Sequence, residues 1–291
     1  MQTLAQIRAI LEAAGARPKR SLGQNFLIDH NMLRRLADAS GVGPGSLVVE
    51  VGPGTGTLTE ELLARGCEVI ACELDDALAA TLEARRAGMP SGERLRVVHA
   101  DCLADKRTLG RALDAELRGR AFALVANLPY GAATPLLMTL MGSHPECGVM
   151  AVTVQREAAD RLTAGPGSKA FGPLGVLASA VCEIRVIGRL GPECFWPRPD
   201  VDSAMVVLRR RERAGHTDPR RLADFAQLLF AHRRKQLGWV LDRIEWPELG
   251  VRPGDGRGLT LPDGVSRSWR AEALSVAQIA ALCDQITTRT G

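Results

Sequence analysis

The run Leu47-Val-Val-Glu-Val-Gly-Pro-Gly-Thr-Gly56 constrains this chain more than any other. An apolar strand-like segment runs into three glycines, at 52, 54 and 56, and a helical pattern follows over Leu58–Arg65. Glycines in such a turn let the backbone pass close to a ligand with no Cβ in the way. Further strand-like runs follow at Glu68–Glu73, Leu95–His99, Phe122–Ala126, Gly148–Val154, Ile184–Ile187 and Ala204–Leu208. Helical patterns such as Ala77–Arg86 and Pro135–Met141 lie between them. This alternation predicts an α/β chain with a mostly parallel sheet covered on both faces. The last two strands lack a long helix between them, so antiparallel pairing is open to them. In a doubly wound sheet the glycine turn lies at the carboxyl end of the first strand, where nucleotides bind.

The spacing narrows the ligand. A dinucleotide fingerprint reads GxGxxG, whereas this loop reads GxGxG with Thr57 in the sixth position. Glu50, two residues before the first glycine, fits poorly beside a pyrophosphate. A ligand with a cationic amino group and no phosphates suits the region better, and S-adenosylmethionine is such a ligand. The alternative is a merely tight strand–helix turn. Glu73 ends the second strand, 21 residues after Gly52, where a carboxylate accepts from ribose hydroxyls; a surface acid would look the same. Asp101 ends the third strand in His99-Ala-Asp-Cys and is placed to accept the exocyclic amine of a cofactor adenine. Three such features at the ends of consecutive strands share one edge of the sheet.

The fourth strand ends in Asn127-Leu-Pro-Tyr130. Pro129 has no amide proton and biases Leu128 toward an extended conformation. The Leu128 carbonyl and the Asn127 side chain then offer two acceptors to one NH2 group. A base amine is a poor nucleophile because its lone pair is delocalised into the ring. Two acceptors draw the nitrogen toward tetrahedral geometry and free that pair, so positioning and electrostatics suffice without a metal or a covalent nucleophile. Tyr130, the one tyrosine of the chain, is able to stack on the target base, or else simply to pack.

Composition sets the remaining bounds. With 291 residues, 46% hydrophobic and 24% charged, the chain has enough apolar material for one large domain or two modest ones and is not disordered. No apolar stretch is long enough to span a bilayer, and the first twenty residues lack a signal-peptide core, so a cytoplasmic protein is expected. Seven widely spaced cysteines without a CxxC, and five histidines, give no zinc spacing, so no metal is expected. Residues 1–40 carry six basic and three acidic groups, net +3; residues 41–208 are net −4; residues 209–257 carry twelve and seven, net +5. Two basic flanks on a near-neutral body suit a polyanion such as RNA, or form an ordinary solvated Arg-rich surface. After Arg211 the pattern turns helical, with helices predicted over Pro219–Arg243 and Ser275–Thr288. This places a boundary near 211–217, between a domain of residues 1–210 and a helical domain of residues 211–291.

Several motifs together resemble one family. Asn127-Leu-Pro-Tyr130 behind a glycine loop of this kind looks like an N6-adenine methyltransferase. Lys19-Arg-Ser-Leu-Gly-Gln-Asn-Phe-Leu-Ile-Asp29 resembles the opening motif of the KsgA-type small-subunit rRNA adenine dimethyltransferases. The segments Gln155–Lys169, Phe195-Trp-Pro-Arg-Pro-Asp-Val-Asp-Ser-Ala204 and Phe230-Ala-His-Arg-Arg-Lys235 resemble later motifs of the same family, in the same order. The resemblance implies a Rossmann-like SAM-dependent methyltransferase sheet with an N-terminal lid and a small C-terminal helical domain that binds rRNA. It implies that Gln24, Asn25, Leu27, Gly52, Gly54, Glu73, Leu74, Asp101, Cys102 and Asn127 surround the cofactor. Asn127, Leu128, Tyr130 and Phe195 would hold the target adenine, Phe195 by stacking on its other face. Arg17, Lys19, Arg20, Arg220, Arg221, Arg233, Arg234 and Lys235 would bind RNA. The implied reaction places two methyl groups on the N6 amine of each of two adjacent adenines near the 3′ end of small-subunit rRNA. The implied partner is a pre-ribosomal particle, and a monomer is expected.

The chain departs from the family pattern at three places. Phe171 and Gly175 stand where Tyr and Ser are more usual, and Gln236-Leu-Gly-Trp239 replaces Thr-Leu-x-Asn after Lys235. Two other readings compete. One is an Erm-type enzyme acting on large-subunit rRNA, disfavoured by the Pro166-Gly-Ser-Lys169 segment and the long C-terminal region. The other is a non-catalytic assembly or transcription factor, disfavoured by the intact Asn127–Tyr130 motif.

Overall fold

A computed structural model describes residues 1–212 and 217–288, apart from the side chains of Arg20, Thr287 and Thr288. Its main sheet has seven strands: β1 (Leu47–Val51), β2 (Glu68–Glu73), β3 (Leu95–His99), β4 (Phe122–Asn127), β5 (Cys147–Gln155), β6 (Cys182–Leu190) and β7 (Ser203–Arg210). They lie in the order β3-β2-β1-β4-β5-β7-β6. Strands β3 to β5 pair in parallel across β2, β1 and β4. β7 runs antiparallel to β5 and separates it from β6. All five residues of β1 are buried, as expected of a central parallel strand covered on both faces. The strand order reverses between β1 and β4, so the carboxyl ends of these two strands open a crevice there.

Eleven α-helices are described: α1 (Leu4–Ala13), α2 (His30–Ser40), α3 (Thr57–Ala64), α4 (Asp76–Arg85), α5 (Arg111–Leu117), α6 (Tyr130–Ser143), α7 (Arg156–Thr163), α8 (Pro173–Val181), α9 (Pro219–Ala231), α10 (Leu237–Leu241) and α11 (Val276–Thr288). Local chemistry sets their starts. Asp29, Asp75 and Asp218 each accept two amide protons at the N-caps of α2, α4 and α9. Helix α6 begins five residues before the predicted Pro135, directly after Pro129. The carbonyl of Pro129 accepts from Ala132 and Ala133 at 3.0 and 3.2 Å, and Pro135 sits inside the helix.

The predicted helix over 219–243 is two helices. The amides of Leu237 and Gly238 donate to the carbonyls of Trp269 and Arg267, at 2.6 and 2.9 Å, instead of continuing a helical ladder. A Cβ on Gly238 would lie 2.8 Å from the Arg267 guanidinium. Arg233, Arg234 and Lys235 therefore occupy a turn, not the basic helix expected.

The chain divides into two compact units. The first holds residues 1–140, 144–159 and 185–210; the second holds 141–143, 160–184 and 211–291. The second is thus not the continuous 211–291 stretch, because α8 and its flanks pack with it. Its core joins Phe171 and Val176 to Phe225, Leu229, Leu237, Ile279 and Leu282. The two departures at 171 and 175 are packing positions here. Phe171 meets Phe230 edge-on at 5.7 Å, and a Cβ on Gly175 would lie 2.7 Å from the Arg161 carbonyl. Residues 213–216 of the expected boundary lie outside the described residues.

Candidate active site

A cavity of about 700 Å³ opens at the carboxyl ends of β1, β2, β3 and β4, a size ordinary for small-molecule sites. All ten residues implied to surround a cofactor line it, as do Leu128 and Tyr130. The N-terminal segment Ser21–Leu27 forms one wall.

Close backbone approach explains two of the glycines. Gly52 has φ +69°, and a Cβ there would come within 2.9 Å of Pro129 Cγ. The glycine turn and the Asn-Leu-Pro turn are thus in direct contact. Gly54 has φ +59°, and its Cβ would come within 2.7 Å of the Phe26 ring. Phe26 therefore packs the N-terminal wall onto the loop, while its ring also stacks on Trp196 at 6.2 Å.

The acids sit in distinct environments. Glu50 on β1 is 2% exposed, and one carboxyl oxygen accepts from Thr59 Oγ1 at 2.6 Å. Burial pushes its pKa up to about 8 against that bond, with the nearby Glu73 charge adding to the rise. Glu73 at the end of β2 accepts from the amides of Asp75 (2.9 Å) and Gly54 (3.2 Å), one on each oxygen. Burial lifts it above the ordinary carboxylate range, and these two amides hold the rise down. Asp101 is exposed and accepts from the Leu103 amide at 2.9 Å. Leu74 is 48% exposed although its neighbours are buried, so an apolar side chain faces open space on the cavity rim. Cys102 is buried, and burial followed by the charge of Asp101 pushes its thiol up to about 12, which leaves it neutral and inert.

Asn127 closes β4. Its Nδ2 donates to the carbonyl of Asn25 at 2.8 Å, an assignment that fixes which end of the amide is the acceptor. Oδ1 is left for a ligand. The Leu128 amide donates to the Thr153 carbonyl at 3.2 Å, which anchors the turn to β5. Tyr130 opens α6 and is half-buried, with its hydroxyl 2.9 Å from Ser203 Oγ.

Phe195 is placed differently from its expected stacking position. It is 2% exposed, pairs with Leu27 in a short antiparallel ladder (Phe26–Leu27 with Phe195–Trp196), and belongs to the core of the first unit, not to the cavity lining. Its ring has no face free for a base.

The expected RNA-binding cations also divide. Lys19 Nζ lies 2.7 Å from Asp75, whose other contacts include Gln24 Nε2 at 3.3 Å. Gln24 Oε1 in turn accepts the Lys19 amide at 2.8 Å. Burial opposes the charge on Asp75, but the Lys19 ammonium and the α4 amides hold its carboxyl below the usual range. Arg233 is held by Glu272 at 2.6 Å and by the Lys169 carbonyl at 3.1 Å. Arg17, Arg220, Arg221, Arg234 and Lys235 are exposed; the Arg20 side chain lies outside the described residues. Asp75 escaped the sequence reading, although an Asp before a helical run is an N-cap signal. The Asn25 carbonyl, a backbone group, leaves no such signal.

Among the described residues, no three or more His, Cys, Asp or Glu are grouped to hold a metal ion, and no helix is long and apolar enough to cross a membrane. All seven cysteines are free thiols.

The chain is similar to known proteins in sequence and in fold. The family model for ribosomal RNA adenine dimethylase matches residues 15–280. The chain is 41% identical over 285 residues to ribosomal RNA small subunit methyltransferase A of Streptomyces griseus, covering 96% of this chain and 93% of that one. It is 39% identical over 284 residues to the protein of the same name from Streptomyces coelicolor, covering 96% and 95%. A dimethyladenosine transferase from Plasmodium falciparum shares the fold, with a TM-score of 0.69 at 20% identity over 90% of this chain and 97% of that one. The 23S rRNA methyltransferase ErmE aligns with a TM-score of 0.59 at 25% identity, over 90% and 99%.

Proposed function

The chain belongs to the ribosomal RNA adenine dimethylase family, and from that premise we propose that it dimethylates the N6 amines of two adjacent adenines near the 3′ end of small-subunit rRNA, using S-adenosylmethionine. The observation that carries the reading is the orientation of Asn127. With Nδ2 committed to Asn25, Oδ1 is the end of the side chain left to accept from an exocyclic amine, and the Leu128 carbonyl is the second acceptor of this reading.

The residues present fit the cofactor. Glu73 has both oxygens held by amides and keeps lone pairs for ribose hydroxyls. Leu74 offers an exposed apolar surface for a flat ring, and Asp101 an acceptor for its amine. Glu50, buried at the cavity wall, suits the cationic amino group. When bound, S-adenosylmethionine supplies an electrophilic methyl group on a sulfonium. The protein's own part is to hold and orient. Asn127 Oδ1 and the Leu128 carbonyl accept the two amine hydrogens and direct the nitrogen lone pair toward the cavity. Pro129, seated on Gly52, fixes that turn against the glycine loop. Tyr130 stacks on the base, a contact worth about 1–3 kcal/mol. The base must be unpaired or extruded to enter.

The wider reading is that the enzyme acts in the cytoplasm as a monomer, binding rRNA in a pre-ribosomal particle during ribosome biogenesis. The exposed cations Arg17, Arg220, Arg221, Arg234 and Lys235 supply salt-dependent, sequence-independent affinity, and the second unit is the rRNA-binding domain. The test is incubation with labelled S-adenosylmethionine and small subunits from a strain lacking the modification, with large subunits in parallel and nucleosides identified by mass. Dimethyladenosine from small subunits alone is expected. Label in the large subunit instead would move the chain to the Erm-type activity that the ErmE likeness keeps in view.

A further inference from the structure

Trp239 carries two cations on its ring. Lys235 Nζ lies 5.4 Å from the ring centroid and Arg243 Cζ lies 4.6 Å from it. His232 meets the same ring edge-on, with centroids 5.2 Å apart. Trp239 is half-buried, whereas Lys235 and Arg243 are exposed. Neighbouring cations are neutralised, Arg233 by Glu272 and Arg267 by Asp242. Lys235 and Arg243 take part in no ion pair among the described residues. Two like charges gathered on one indole repel each other, and the ring holds them together through its quadrupole. An anion is the group that relieves this arrangement. The surrounding stretch 209–257 is net +5, and its Arg234, Arg252 and Arg257 are exposed.

We propose that Trp239 assembles Lys235 and Arg243 into a clamp for RNA backbone phosphate on the second unit. The proposal rests on the reading that the chain works on rRNA. It goes beyond that reading by assigning an organising aromatic, and Arg243, to the contact. Trp239 stands where the family pattern has Asn, so the clamp is a feature of this chain. Such a contact adds affinity and orientation but no base readout.

The test measures binding of the full chain to labelled small-subunit rRNA across salt, with S-adenosylmethionine binding measured alongside. The parent should show a linear fall of log K with log salt. Arg243→Gln, at an exposed position, should flatten that slope by about 1. Trp239→Leu should flatten it as well and weaken binding about 3–10-fold at low salt, while Trp239→Phe keeps most of the affinity. All three should bind the cofactor as the parent does. Parental slopes in both Arg243→Gln and Trp239→Leu would overturn the clamp and leave the proposed function standing. A parent with no salt-dependent RNA binding would overturn both.

Discussion

The sheet-end cavity and the turn at residues 232–239 treat their polar groups in opposite ways. In the cavity the groups with proposed roles are held by bonds within the protein. Asn127 Nδ2 is donated to Asn25, Glu73 is held by two amides, and Glu50 by Thr59. At Trp239 the cations Lys235 and Arg243 are left with a π face and no carboxylate. The first arrangement suits a small ligand whose atoms must be placed to within an ångström, because groups already oriented need no reorganisation during reaction. The second suits a polyanion, for which uncompensated charge matters more than direction. Preorganisation thus marks the chemistry, and electrostatic incompleteness marks the surface.

The largest test of that contrast is Asn127→Ala. If the amide is a preorganised acceptor, its loss should lower methyl transfer about 10²–10³-fold, as when one oriented hydrogen-bonding group is removed from a transition state, while cofactor binding stays close to parental. Asn127→Asp keeps an acceptor but loses the donor to Asn25, so it should also fail to transfer. Full activity in Asn127→Asp would show that the orienting bond does not matter.

Glu50 tests the cost of burying the cavity's acids. Its pKa is raised from 4.5 to about 8, so the folded protein holds a proton that the unfolded chain releases. Stability from this group is greatest at low pH and is lost as pH rises from about 4.5 through about 8. Glu50→Gln keeps an acceptor for Thr59 and removes the titration. The cofactor-free variant should therefore be more stable than the parent at pH 9 by on the order of 5 kcal/mol, with the difference nearly gone at pH 5. Thermal melts at the two pH values measure it. Parallel melting across pH would show that Glu50 does not titrate as a buried acid. The same variant should bind S-adenosylmethionine more weakly, since the partner of its amino group is gone.

The sheet side of the cavity is legible in the sequence because each of its parts lies at a strand end; the N-terminal wall, Ser21–Leu27, is not. An apolar run, then Gly, Glu, Asp or Asn at its carboxyl end, is a local pattern, and parallel pairing brings such ends to one edge. Phe195 lies in the core instead of on the cavity lining because its environment is not local. It follows a short turn and pairs with Leu27 from the other end of the first unit, a contact that no spacing encodes. The second unit is larger than the expected 211–291 stretch for the same reason, since α8 joins α9 and α11 in one core across the intervening strands. The break at 232–236 depends on carbonyls of Arg267 and Trp269, again distant in sequence. Helical propensity alone would run through it.

The smallest effect separates ring from hydroxyl at Tyr130. The hydroxyl pairs with Ser203 Oγ at 2.9 Å, and Ser203 is fully buried. Tyr130→Phe should cost about 1 kcal/mol of stability by leaving the serine without its partner, and it should leave methyl transfer near parental, because Phe still offers a ring to the base. Ser203→Ala should cost a similar amount. The double variant should cost less than the two together, since both changes remove one shared bond. Denaturant unfolding of the four proteins completes the cycle. Strict additivity would mean that the hydroxyls do not interact and that Tyr130 is positioned by packing alone. A large loss of transfer in Tyr130→Phe would shift the role from stacking to the phenol itself, and would put one more bonded polar group of the cavity directly into the chemistry.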